Sequence, residues 1–493
     1  MEYEHDLHEH RDVIIVGAGL SGIGAAYRLQ TMCPGKTYAV LEARAAVGGT
    51  WDLFRYPGIR SDSDMYTLSF PYRPWTNRKA IADGHDIRTY IEEAADEYGI
   101  EKNIRFGHRV VSASWSSDDA RWTVTSQVDG QTVTQTASFL YLCSGYYSYN
   151  EAYQPEFPGI DTYEGQVVHP QFWPEDLDYA GKEVVIIGSG ATAVTLIPSM
   201  AETAKHITML QRSPTYILSQ PEEDKLAHVM KRVMPAKLAQ RAIRRKNATL
   251  AIGLYLFCKR FPKFSAKILI ALSKKQLPEN YDLKNFTPRY NPWDQRLCLV
   301  PNGDLYKTIR HGGASIVTDH VKTFTPTGID LESGEHLDAD IVITATGLKV
   351  VAFGELSLTV DGKTINPNDL YVYKGLMFSG MPNFAWCVGY TNASWTLRAD
   401  LTSKYVCRFI NHLDANGYAF GMPNPEGAAG HARPILDLTS GYVMRVADTL
   451  PQQGSASPWT IRQNWLLDSY DMRRTDLDDD MIFAPKKVMA SAG

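Results

Sequence analysis

Two glycine clusters, GAGLSG at 17–22 and GSGATA at 188–193, mark where this 493-residue chain could do chemistry. A pyrophosphate has to approach backbone N–H groups at a helix N-terminus, and a Cβ would stand in its way. Gly17, Gly19, Ser21 and Gly22 form one candidate cradle, and Gly188, Ser189, Gly190, Ala191 and Thr192 form another. In the second, Ala193 takes the third glycine's place, a replacement this type of turn accepts. A charged residue follows each cluster at a matching distance. Glu42 lies 25 residues after Gly17, and Arg212, followed by Ser213, lies 24 after Gly188. A carboxylate there accepts bonds from ribose hydroxyls and repels a 2′-phosphate, whereas a guanidinium offers that phosphate a positive fork. The first site therefore suits FAD and the second NADPH.

Such turns work only between a strand and a helix. DVIIVGAG, LSGIGAAYRLQ and TYAVLEA supply a strand, a helix and a strand around the first cluster. KEVVIIGSG, ATAVTLIPSMAET and HITMLQRS repeat that order around the second. The expected fold is α/β: a flavoprotein with two dinucleotide-binding domains in tandem, both Rossmann-like. ASIVT and DADIVITATG return the chain to a sheet, and FLYLCSG and IVITATG are similar strand-then-small-residue crossings between domains. The expected division gives 1–145 and 340–493 to a discontinuous FAD domain, 146–180 to a linker and 181–339 to an NADP domain. Residues 221–290 change character, with helical spacing and many Lys and Arg, and read as a helical insertion. Its basic surface is either a solvated face of packed helices or a contact for anionic lipid.

Composition sets the outer bounds. A hydrophobic fraction of 44%, a charged fraction of 21% and a formal charge of −5 fit a soluble protein and argue against general nucleic-acid binding. The acidic, His-rich start is no secretory signal, and the apolar stretch 248–258 is too short to span a bilayer. Six cysteines without CxxC spacing read as reduced thiols, so a cytoplasmic protein with no metal site is expected.

Two further stretches bear on the reaction. YEGQVVHPQFWP, at 163–174, lies between the glycine clusters, and GGTWDLFRYPGIRSD, at 48–62, follows Glu42. Asp62 ends an aromatic turn and should either be exposed or have a cationic partner. The first stretch resembles the FxGxxxHxxxWP fingerprint of type I Baeyer–Villiger monooxygenases, within the flavin-containing monooxygenase superfamily. Gly165, His169, Trp173 and Pro174 match it, and Tyr163 replaces the usual Phe. The second fits [AG]GxWxxxx[FY]P[GM]xxxD through Gly49, Trp51, Tyr56, Pro57, Gly58 and Asp62. Similarity runs from about residue 12 to about 465, nearest the branch containing the ethionamide-activating monooxygenase.

The resemblance implies that Gly49, Thr50, Trp51 and Asp62 join the FAD site. It also implies that Arg296 sits over the flavin to stabilise an anionic C4a-peroxide, with Asp62 holding it. Gln295 stands where the family commonly has a Lys on the NADP phosphate. His169 and Trp173 are expected to pack and hydrogen-bond while coupling domain position to NADP. A helix is expected to start within 391–400, capped by Asn392 or Ser394, with Trp395 packed or lining the pocket. The implied activity uses FAD, NADPH and O₂ to convert ketones to esters or lactones, with sulfides or thioamides as further substrates. Its rivals are a flavin N- or S-monooxygenase, which usually lacks the Trp-Pro ending, and a non-catalytic flavin-binding redox or membrane-associated protein.

Overall fold

The computed structural model describes residues 9–426, 429–436 and 440–487. The His-rich start and the last residues of the expected FAD domain lie outside them. The strand His10–Val16 has Val13, Ile14 and Ile15 sealed from water, as a strand covered on both faces requires. It pairs in parallel with Tyr38–Leu41 on one side and Gln131–Leu142 on the other. Helix Leu20–Met32 joins the first two, completing the expected unit. Arg109–Ser116, Arg121–Val128 and Gln131–Leu142 add an antiparallel meander to this nine-stranded sheet. In RWTVTSQV the burial alternates residue by residue, as one face packs and the other meets solvent.

The second sheet is parallel throughout, in the order Ala314–Thr318, His206–Gln211, Glu183–Ile187, Ile341–Thr344, Gln166–Val168. It reaches beyond the expected 181–339 on both sides. Ile341–Thr344 belongs to this sheet and not to the first, and three residues of the fingerprint form its edge strand. The reason is pairing. Ile341 and Val342 need a buried neighbour, and Glu183–Ile187 offers one in register.

The insertion forms three helices, Lys225–Val233, Ala236–Arg260 and Pro262–Lys274. The first two dock mainly on the first domain, where Ala227, Ala239 and Ile243 enter its core. Arg244 is buried there and donates from Nη1 to the carbonyls of Thr67 and Ser69 at 2.8 Å each. The third helix packs instead beside Tyr216 and Leu297. The insertion thus bridges both domains.

Helix Trp395–Ala415 begins at Ser394, but neither expected cap forms. The Ser394 hydroxyl meets Thr67 Oγ1 at 2.5 Å, and Asn392 Nδ2 donates to the Gln463 carbonyl at 2.8 Å. Ser394 thus binds the short helix Met65–Leu68 and Asn392 a C-terminal loop, leaving the first-turn N–H groups uncapped by them.

Candidate active site

One cavity of about 1140 Å³ is lined by both glycine turns, Glu42, Arg212, Asp62 and Arg296. On the first side, Gly17 takes φ +101°, and a Cβ there would lie 2.7 Å from the Cys143 carbonyl oxygen. A Cβ on Gly22 would come within 1.8 Å of the Gly17 oxygen, so only glycine lets the helix settle onto its turn. No side chain caps helix Leu20–Met32 at Gly19, and its N-terminal donors remain for a ligand. Glu42 is buried, with Oε2 accepting from Ala18 N–H at 2.7 Å and Oε1 from Arg44 N–H at 2.9 Å. Burial pushes its carboxyl pKa up, against the pull of those two bonds. Ribose hydroxyls donating to it would favour the ionised form. A Cβ-free cradle, free helix donors and a buried carboxylate together fit the adenosine half of FAD.

The 48–62 loop continues this wall. Gly49 has φ +57°, and a Cβ on it would lie 3.0 Å from Gly19 Cα. Thr50 Oγ1 accepts from the Tyr147 hydroxyl at 2.7 Å. Trp51 packs half-buried on the core of this domain. Trp395 lines the cavity, stacks on Tyr146 and donates to Ser21 Oγ at 2.7 Å, so it packs and lines at once. Asp52 was not anticipated. It is 3% exposed and its carboxylate holds Arg44, Arg55 and Arg88. Its signal was the arginine-rich setting, Arg44 and Arg55 flanking an acid that the motif leaves unspecified.

On the second side, Gly188 has φ +139°, with a would-be Cβ 2.3 Å from the Ala345 oxygen. At Gly190 the missing Cβ faces open space, and helix Ala191–Met200 has no side-chain cap. Ser189 donates to the Ser213 carbonyl at 3.0 Å, tying the turn to the strand that presents Arg212. Arg212 itself is exposed in the cavity wall. The Tyr56 hydroxyl bonds Thr192, and burial pushes its pKa up to about 12. Gly58, at φ +72°, packs where a Cβ would strike the Ser199 hydroxymethyl group. The loop from the flavin-side turn thus rests directly on the second domain.

Arg296 meets Asp62 in that wall, Nη2 to Oδ2 at 2.9 Å. Both are partly open to the cavity. They come from different domains and lie 234 residues apart in sequence.

The fingerprint lies elsewhere. Gly165, His169, Trp173 and Pro174 are absent from the cavity wall. A Cβ on Gly165 would fall 2.3 Å from the Tyr163 hydroxyl oxygen and 2.6 Å from the Asp340 carbonyl. That hydroxyl donates to the Ala339 carbonyl at 2.9 Å, a bond the usual Phe could not make. His169 Nδ1 accepts from Gln171 N–H at 3.1 Å. Its buried Nε2 has no hydrogen-bond partner among the described residues, and burial lowers the imidazole pKa against the raising pull of the Gly347 and Tyr153 backbone. Trp173 packs on the second domain's core, and Pro174 beside it is half-buried.

The six cysteines are free and buried. Among the described residues, no helix is long and apolar enough to cross a membrane.

Residues 70–389 match the family described as flavin-binding monooxygenase-like, and residues 15–81 match the NAD(P)-binding Rossmann-like domain. The chain is 54% identical over 474 residues to the FAD-containing monooxygenase EthA of Mycobacterium tuberculosis, covering 96% of this chain and 97% of that one. Its fold is similar to a steroid monooxygenase bound to NADP, with TM-score 0.75, 24% identity and coverage of 97% and 100%. It is also similar to an open cyclohexanone monooxygenase, with TM-score 0.78, 19% identity and coverage of 96% and 99%.

Proposed function

The chain belongs to the flavin-binding monooxygenase-like family, and from that premise we propose that it is a Baeyer–Villiger monooxygenase. It is an NADPH-dependent flavoprotein monooxygenase, and the proposal concerns what it oxidises: ketones, to esters or lactones, with sulfides and thioamides as further substrates. When bound, FAD supplies the redox chemistry, accepting hydride from NADPH and activating O₂. The protein's part is to bind, orient and place charge. The first glycine turn and Glu42 hold FAD, with Gly49, Thr50 and Trp51 closing the wall. The second turn and Arg212 hold NADPH.

The observation that carries the proposal is the Arg296–Asp62 pair beside both nucleotide cradles. Arg296 keeps a permanent cation where negative oxygen develops, because a guanidinium does not lose its proton at working pH. An oxygen held as an anion there is a nucleophile, and a nucleophile attacks a ketone carbonyl. Asp62 aims the guanidinium without cancelling its field in a partly open site. The test is to supply NADPH, O₂ and a panel of ketones and sulfides and identify products by mass spectrometry. Esters or lactones support the proposal. Sulfoxides alone, with every ketone recovered unchanged, would replace it with the reading of a flavin monooxygenase without ketone activity.

The insertion supports a second part of the proposal, peripheral contact with an anionic membrane. Eleven of the seventeen exposed large hydrophobic side chains among the described residues lie within 225–274. Leu226, Val229 and Val233 follow one helical stripe, and Phe264, Ile268 and Leu272 another, with Lys and Arg interleaved. Apolar stripes among cations fit the boundary of an anionic bilayer better than water. Co-sedimentation with phosphatidylglycerol-containing vesicles, lost with neutral vesicles and on Phe264→Glu, is expected. Equal recovery with both vesicle types would remove the anionic-lipid assignment.

A further inference from the structure

Gly441 lies beside two guanidinium groups. A Cβ built on it would stand 3.4 Å from Arg445 Nη1 and 3.9 Å from Arg212 Nη2. Both arginines are exposed and line the cavity, where buried Ser440 and half-buried Tyr153 also lie. Arg445 is fixed by stacking, its guanidinium carbon 3.3 Å from the centre of the Tyr153 ring. Among the described residues neither arginine takes part in an ion pair. The charge of Arg212 bears on Arg445 and, after burial, lowers its pKa. Asp319 lines the same wall, but its oxygens accept from the backbone N–H groups of His320 and Ser333.

Two cations held side by side repel each other unless an anion comes between them. Here the protein supplies the cations, one ordered by an aromatic ring, and places a glycine, Gly441, beside both. A phosphate monoester dianion matches that charge and can accept from both forks. Gln295 carries no charge, so the immediate neighbour of Arg296 cannot serve as the second cation.

We propose that Arg445 is the second cation for the 2′-phosphate of NADPH, acting together with Arg212. This rests on the assignment of the second glycine turn to NADPH. It adds that discrimination against NADH is shared between the strand-end arginine and a residue from the C-terminal part of the chain.

The test is direct binding to the oxidised, FAD-loaded enzyme, followed by titration calorimetry. The probes are NADP⁺, NAD⁺, 2′,5′-ADP and 5′-ADP, and the proteins are wild type, Arg445→Ala, Arg445→Lys and Arg212→Ala. Loss of charge-assisted bonds to one phosphate should weaken NADP⁺ and 2′,5′-ADP about 10- to 100-fold in Arg445→Ala, and NAD⁺ and 5′-ADP by less than about twofold. Arg445→Lys should recover part of the loss. Unchanged NADP⁺ binding in Arg445→Ala, or an equal loss for NAD⁺, would overturn the role of Arg445 while the NADPH site stands. If Arg212→Ala also leaves the NADP⁺ to NAD⁺ ratio unchanged, the NADPH assignment itself fails. Full FAD absorbance in each variant confirms that the fold is intact.

Discussion

Single residues here divide into those that meet ligands and those that hold the meeting place. His169 is of the second kind. Its Nδ1 is committed to Gln171 N–H, and burial lowers its pKa. Above the ordinary imidazole value of about 6.5 it is neutral both folded and unfolded, and contributes no pH dependence. Below that value the unfolded chain takes up a proton that the folded one resists, so stability falls with pH until the folded pKa is passed. The loss amounts to about 1.4 kcal/mol for each unit by which the folded value lies lower. His169→Asn keeps an acceptor for Gln171 but does not titrate. Melting curves from pH 7.5 to 5 should therefore show a shallower acid loss in the variant, and an identical slope would remove His169 from this role. At this scale much of the site was legible. The glycines, Glu42 and Arg212 are legible because nucleotide chemistry demands those residue types at those distances. Asp52 and Arg445 were not: Arg44 and Arg55 flank Asp52 in sequence but Arg88 reaches it only in the fold, and nothing near Arg445 announces Arg212 beside it.

Elements carry the coupling between sites. The loop from Gly48 to Asp62 starts at the flavin-side turn and ends against Ser199, Thr192 and Arg296 of the second domain. The middle helix of the insertion runs the other way and places Arg244 under the carbonyls of Thr67 and Ser69. Removing that guanidinium takes the donor from the Ser69 carbonyl, at about 1–3 kcal/mol, while the Thr67 carbonyl keeps the Thr396 hydroxyl. Arg244→Met should accordingly lower the temperature at which FAD is released, with NADP⁺ affinity unchanged. An unaltered release temperature would show that the insertion does not brace the flavin domain. Both strand–helix–strand units were readable from apolar runs and glycine spacing. The edge strand Gln166–Val168 was not, because three residues carry no periodicity and their partner is Ile341–Thr344. The docking of Ala227, Ala239 and Ile243 was hidden for a related reason. Their helical spacing shows that a face is buried, but not on which domain.

Across the whole molecule, the reacting space belongs to neither domain. The first glycine turn belongs to the first sheet and the second turn to the other, and the Arg296–Asp62 pair joins the two walls of the cavity proposed to hold FAD and NADPH. The motif at 163–174 names the family yet stands away from this space, at the edge of the second sheet and the crossing to the first. Its conformational demands explain its composition: glycine at 165 for want of room, a polar ring at 169, a packed indole at 173. The central claim is that Arg296 serves the oxygen-transfer half of the reaction and not the hydride half. Arg296→Ala, loaded with FAD, should be reduced by NADPH without oxygen within about threefold of the wild-type rate. Returned to oxygen with a ketone that the wild type converts, it should consume NADPH and yield no ester. Ester formation at the wild-type yield would contradict the account.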